Sequence, residues 1–406
     1  MYLILILFLL SLLFASRLLY KKEVDHFFFL SIGFAYYYFV PFIGLWLYPR
    51  GIYWNLFEWK YNYYSEVGYE LINDYLIISL CSFIFLIIGD YCSRKFTVNE
   101  SINIGNKTFD ATFYCFLILG IYLFYGFRDN LFQGYMAVQN WPRERAWIIG
   151  VCSVFIVFNS LHMAKNKNAE LKSLILNKYF LSALLSNLLY LSAGGRSLIS
   201  AFIVSILLFI LMRLNFRTGL LFLGVTLFTF VTIFTIFGKL RTGDLELTYE
   251  KFIFELFAEP LNVGVTLGHY LQEPNFELFS FPSALLSQFS NLIPAIIYPA
   301  KYELMFSHPD VIKFQATSHL HVDLIVNFGL IGMWGIFFLI GYLMNYLKNL
   351  SYGIYLSISS VMMFHIFRAF EVTLIKNILQ YSILLPLAMV IVDRILKKVK
   401  NMKVDV

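Results

Sequence analysis

A chain of 406 residues is long enough for two or three soluble domains, but 59% hydrophobic residues, 14% charged residues and a mean hydropathy of +0.71 exclude that class. The formal net charge of +6 does not point to nucleic acid, because the basic residues sit in short segments between apolar runs and not in one patch. The expected class is an all-α integral membrane protein.

A hydrocarbon core about 30 Å thick needs roughly 17–25 apolar residues per crossing helix, and unpaired backbone groups rule out open irregular structure in lipid. Met1 to Tyr20 has no basic leading region and no small-residue cleavage site, so it is expected to stay as the first membrane helix and not to be a cleaved signal. Further spans are expected at 27–48, 75–92, 111–127, 147–163, 179–193, 197–214, 219–238, 322–347, 354–371 and 377–393, about eleven in all. The organisation that follows is 1–238 with the first eight spans, 239–321 as one large loop, and 322–406 with the last three spans and a basic tail.

Basic residues are retained on the cytoplasmic side. Lys21, Lys22, Arg94, Lys95, Lys165, Lys167, Lys172, Lys178, Arg213, Arg217, Lys348 and the tail from Arg394 to Lys403 all fall in loops of one parity. That assigns an outside N-terminus and a cytoplasmic C-terminus, where Lys397-Lys398-Val399-Lys400 would lie near anionic lipid. Cys81, Cys92, Cys115 and Cys152 fall in or at the ends of spans and are expected to pack, not to bridge or bind metal.

Two outer segments stand out. Residues 49–74 are aromatic and acidic, with Tyr53, Trp54, Trp59, Tyr61, Tyr63 and Tyr64, a composition suited to the headgroup level. Residues 239–321 carry Pro260, Pro274, Pro282, Pro294, Pro299 and Pro309 among apolar stretches, and should form short amphipathic or re-entrant helices capping a cavity. Asp244, Glu246, Glu250, Glu255 and Glu259 alternate there with apolar residues as one solvated helix face.

The candidate chemistry gathers on the outer face. Arginine's planar fork of donors matches phosphate, and Arg143, Arg145, Arg196, Arg241 and Arg368 all fall on that side. Gly194-Gly195-Arg196-Ser197 is the most pointed case: two glycines allow close approach, and a helix N-terminus follows that attracts anions. The absence of a preceding strand rejects a nucleotide loop. His308, His319 and His321 share the end of the large loop, where neutral imidazole could take a proton from a hydroxyl. Two histidines at i and i+2 should point in different directions on a helix, and no matching cysteine or carboxylate pair completes a zinc site. His365, Arg368 and Glu371 recur every three residues on one stripe. No Gly-x-Ser-x-Gly elbow and no His-Glu-x-x-His occurs, which argues against a serine hydrolase or zinc protease.

In layout and motifs, the chain resembles the Wzy-type O-antigen (oligosaccharide repeat unit) polymerases. The residues that carry the resemblance are Gly194-Gly195-Arg196-Ser197, Lys239-Leu240-Arg241-Thr242-Gly243, and Ser318-His319-Leu320-His321 followed by Asn327 to Gly332. The related O-antigen ligases end the same loop in histidine, a polar residue, nine residues and Gly-x-x-Gly. His321, Gly332 and Gly335 keep that spacing, while Val322 replaces the polar residue.

The resemblance implies a GT-C-like, metal-independent and cofactor-free glycosyltransferase of the bacterial inner membrane with a periplasmic site. It would transfer a growing glycan from undecaprenyl diphosphate to the sugar hydroxyl of a new lipid-linked repeat unit. Arg196 and Arg241 would hold the diphosphate, Arg143, Arg145 and Arg368 would contact substrate, and His321 or His319 would orient or deprotonate the acceptor. The implied partners are undecaprenyl-diphosphate-linked oligosaccharides, membrane lipids and a chain-length regulator. An O-antigen ligase and a flippase or transporter of lipid-linked sugars are the alternatives.

Overall fold

The computed structural model describes residues 2–38, 69–93, 104–131, 142–192, 197–226, 229, 232, positions scattered between 263 and 286, 319–365 and 378–402. Every regular element among them is helical. In chain order these are α1 (Tyr2–Lys21), α2 (His26–Tyr38), α3 (Tyr69–Cys92), α4 (Asn106–Gly126), α5 (Pro142–Lys165), α6 (Leu171–Ile175), α7 (Lys178–Ser192), α8 (Ser197–Leu211), α9 (Phe216–Thr226), α10 (Leu320–Leu350), α11 (Tyr352–His365) and α12 (Leu385–Met402). A π-helical turn, Ile378–Leu384, leads into α12. It ends just before Pro386, which has no N–H to give to the Ser382 carbonyl, so the wider turn accommodates the proline.

Five helical segments among the described residues are long and apolar enough to cross a membrane: Glu70–Cys92, Asn106–Gly126, Trp147–Lys165, Leu320–Leu350 and Ile378–Val399. Their outward faces are apolar too. On α4, Ile118, Ile121, Tyr122 and Tyr125 are all exposed, a surface that water would penalise and lipid accepts. The protein is a multi-pass membrane protein whose regular elements, among the described residues, are all helices. All four cysteines are free: Cys152 is buried, Cys81 half-buried, and Cys92 and Cys115 are exposed on the apolar helices α3 and α4.

The chain divides into two compact units. The first comprises Met1–Arg94, Leu211–Asn345 and His365–Leu374; the second comprises Lys95–Ile210, Tyr346–Phe364 and Ile375–Val406. In the second unit, α4 and α7 pack on α5 through Phe113, Phe158 and Tyr179, with Phe113 4.8 Å from the Tyr179 ring and 5.6 Å from that of Phe158. Thr108 donates to Asp393 at 3.0 Å, and Lys397 holds the other carboxylate oxygen of Asp393 at 2.6 Å, tying α12 to α4.

In the first unit, α3 and α10 cross with their backbones in contact. A Cβ on Gly341 would stand 2.1 Å from the Leu86 carbonyl oxygen, and one on Gly89 would stand 2.0 Å from that of Phe338. Lipid offers no hydrophobic drive between helices, so close approach at small residues supplies the attraction instead. Phe34 of α2 closes the group, 5.3 Å from Phe83 and 6.1 Å from Phe337.

At one end of α1 and α3 lies a buried ion cluster. Arg17 pairs through Nε with Asp90 and lies 3.6 Å from Asp25, Lys21 also reaches Asp90 at 3.6 Å, and His26 stands 3.8 Å from it. Asp25 accepts from the backbone N–H of Phe27 at 3.1 Å, so one carboxylate caps α2 and faces Arg17. Charges buried this way must be matched, because an unpaired ion out of water is far more costly than a lost contact.

The main irregularity is in α10. Gly329 has φ 70° and ψ −177°, which breaks the helical ladder. Three of the freed backbone groups are taken up by the chain around 277–285. Leu330 N–H donates to the Glu277 carbonyl at 3.0 Å and Ile331 N–H to that of Leu278 at 3.2 Å. Ser280 donates to the Val326 carbonyl at 2.7 Å. Asn327 accepts from Leu285 N–H at 2.6 Å and donates to the Asp323 carbonyl at 2.7 Å. A side chain at 329 would fail twice, on the positive φ and on the 2.7 Å approach of the Leu278 backbone.

Two outcomes follow. Gly341→Ala should lower the unfolding temperature in detergent by several degrees, whereas Gly335→Ala on the same helix, with open space at its Cβ, should leave it unchanged or slightly raised; equal effects would remove the close crossing. Arg17→Met should destabilise by about 3–5 kcal/mol, because it removes the cation that both Asp25 and Asp90 face, and an unchanged stability would contradict the buried cluster. Thermal unfolding in detergent reads the first outcome and denaturant titration the second.

Candidate functional site

The site is assembled where α10 begins. His319 lies one residue before the helix, and its carbonyl accepts the Asp323 N–H at 2.9 Å as the first helical bond. His321 sits in the first turn. The expectation that these two side chains diverge is corrected here: since His319 is outside the helix, the i and i+2 rule does not apply, and the ring centroids are 6.1 Å apart.

Both imidazoles are fully buried. The Tyr38 ring stacks on His321 with centroids 4.0 Å apart and meets His319 edge-on at 4.9 Å. Phe34 and Phe337 abut His321 at 5.8 and 5.2 Å. From α3, Tyr75 brings its hydroxyl to 3.0 Å from Nδ1 of His321, and Ser79 brings its own to 3.3 Å. Among the described residues, Nε2 of His321 completes no hydrogen bond, and His319 has only a contact with the Tyr37 backbone that falls short of full hydrogen-bond geometry. Nε2 of His321 is thus a buried polar atom among aromatic rings that no described residue satisfies.

Burial pushes His319 down to about 3, with the Tyr37 backbone acting in the opposite sense. No group of histidine, cysteine, aspartate or glutamate among the described residues could hold a metal ion.

Arg196, Arg241, Arg368, His308 and Glu371 lie outside the described residues. Arg143 and Arg145 are in the first turn of α5 and His365 is the last residue of α11, with their side chains outside the described set. The histidine site therefore stands on its own geometry. Tyr38, Tyr75 and Ser79 were not singled out from sequence: tyrosines abound at membrane interfaces, and a serine in an apolar run carries no pattern of its own.

His319 also makes stability depend on pH. Its folded ring stays neutral, whereas in the unfolded chain it protonates near 6.5, so only the unfolded state gains a proton as pH falls below that value. Stability is unaffected above pH 6.5 and declines as pH drops towards 3. Between pH 7 and 5 the wild type should lose about 1–2 kcal/mol more than His319→Phe in detergent unfolding, and parallel curves for the two would contradict the burial.

No protein-family model, no curated protein and no solved structure matches the chain.

Proposed function

We propose that this protein is a membrane glycosyltransferase that joins undecaprenyl-diphosphate-linked oligosaccharide repeat units into a surface polysaccharide such as O-antigen. In this reading the chain crosses the bacterial inner membrane eleven times, with its N-terminus in the periplasm and its C-terminus in the cytoplasm. The large 239–321 segment lies on the periplasmic side. Both lipid-linked substrates reach the site laterally from the outer leaflet.

The observation that carries the reading is the pair of buried, aromatic-walled histidines at the head of the broken helix α10, with Nε2 of His321 left unsatisfied among the described residues. These are the positions at which the resemblance expects the acceptor sugar. A hydroxyl-bearing ring fits such walls, since sugar faces stack on aromatics and sugar oxygens answer ring nitrogens. Arg196 and Arg241 supply the other half of the chemistry as the diphosphate clamp. Fixed guanidinium donors stabilise a departing diphosphate without metal.

The direct test is turnover of purified protein with defined lipid-linked repeat units, read by mass spectrometry of the products. Ladders of lengthened glycan are expected from the wild type, with Arg196→Ala and Arg241→Ala each reducing extension by about 100-fold or more. Unimpaired ladders from well-folded arginine variants would defeat the clamp. In a deletion strain, single repeat units on the surface support polymerisation, unligated lipid-linked polymer indicates a ligase, and units trapped facing the cytoplasm indicate a flippase.

A further inference from the structure

We infer that Tyr75 and Ser79 fix His321 as a hydrogen-bond donor through Nε2, which makes it a ring that binds a sugar oxygen and not the base that deprotonates one. The ligand named in this inference rests on the proposed glycosyl transfer; the protonation pattern does not.

The deduction begins with Ser79. Serines elsewhere in the unit give their hydroxyl protons to the carbonyl one turn back, as Ser31 of α2 does to Phe27 at 2.7 Å and Ser82 of α3 to Ile78 at 3.1 Å. Ser79 does not. Its only hydrogen-bond contact among the described residues is Nδ1 of His321, at 3.3 Å in a buried setting. A buried hydroxyl that cannot place its proton forfeits on the order of 1–3 kcal/mol, so the proton goes to the one acceptor in reach. That requires a lone pair on Nδ1. The Tyr75 hydroxyl, 3.0 Å from the same nitrogen, presents a second proton donor to it.

A ring whose Nδ1 accepts carries its single proton on Nε2, and the doubly protonated form is excluded by the same contact. Nε2 is buried and meets no acceptor among the described residues. The N–H is therefore turned towards an oxygen that the chain's described part does not provide. A general base at this position would need the opposite tautomer, with Nδ1–H donating to a carboxylate or carbonyl behind it and a lone pair forward. Two hydroxyls stand there instead.

Tyr75 and Ser79 are thus positioning residues. His321 holds the acceptor sugar by an N–H to one of its oxygens, and of the two histidines only His319 keeps a ring lone pair that no described contact claims.

Nitrogen NMR of 15N-histidine-labelled protein in lipid nanodiscs, with the His321 signals assigned by their loss in His321→Gln, reads the protonation directly. Expected are a pyrrole-type Nε2 and a pyridine-type Nδ1 in the wild type, with mixed tautomers in Tyr75→Phe combined with Ser79→Ala. A pyrrole-type Nδ1 in the wild type overturns the inference. Turnover supplies an independent arm. A glutamine amide can supply an N–H near the position of Nε2 but cannot accept a proton, so His321→Gln should stay within about tenfold of wild type while His321→Phe falls by about 100-fold or more. Equal losses in the two variants overturn the donor role. A wild type with the expected nitrogen signals but no turnover would refute the glycosyl transfer and leave the tautomer standing.

Discussion

The first unit depends on one constraint: a helix broken inside a membrane protein must find new partners for every backbone group it frees. At Gly329 it finds them in its own chain, which lays the carbonyls of Glu277 and Leu278 against the N–H groups of Leu330 and Ile331. Ser280 and Asn327 add one side chain from each side of the joint. The consequence reaches beyond local satisfaction. The stretch of α10 that carries His321 ends at this break, so the direction of that stretch is set by the segment sewn to it.

Two ways of burying polar groups coexist in the same unit. Around Asp90 the charges are matched, with Arg17, Lys21 and His26 drawn around one carboxylate and Asp25 facing the guanidinium. Around His321 the polar atoms are kept uncharged, and one ring nitrogen is left open. The first arrangement matches its charges, although Nη1 and Nη2 of Arg17 and Oδ1 of Asp90 complete no hydrogen bond among the described residues. The second carries no charge to match, and Nε2 of His321 is left to bond a ligand.

Sequence patterns revealed the helices far better than the joints. Length and apolarity located helices near most of the expected positions, because the periodic backbone bonding that lipid demands is written into each run. The ends were less legible. The run read as 75–92 starts as a helix at Tyr69, since Glu70, Asn73 and Asp74 are tolerated in its first turns although hydropathy rejects them. α12 continues to Met402, past the expected stop at 393, because Asp393 pairs with Lys397 one turn on. The break at Gly329 could not be read from its neighbours: glycine is common in membrane helices, and its positive φ is imposed by residues some fifty positions away. Arg17 and Asp90 are likewise 73 residues apart, a separation over which no local pattern speaks. For the histidines, the difference between diverging and converging rings was whether the helix starts before or after position 319.

Amide hydrogen exchange at Leu330 and Ile331, followed by mass spectrometry or NMR in nanodiscs, tests the joint most directly. If the 277–278 backbone completes the broken helix, both amides should exchange as slowly as those of the unbroken turns around Phe337, and both should become fast in Gly329→Val. Exchange at the rate of an open chain in the wild type would mean that the joint does not form, and with it would go the placement of His321.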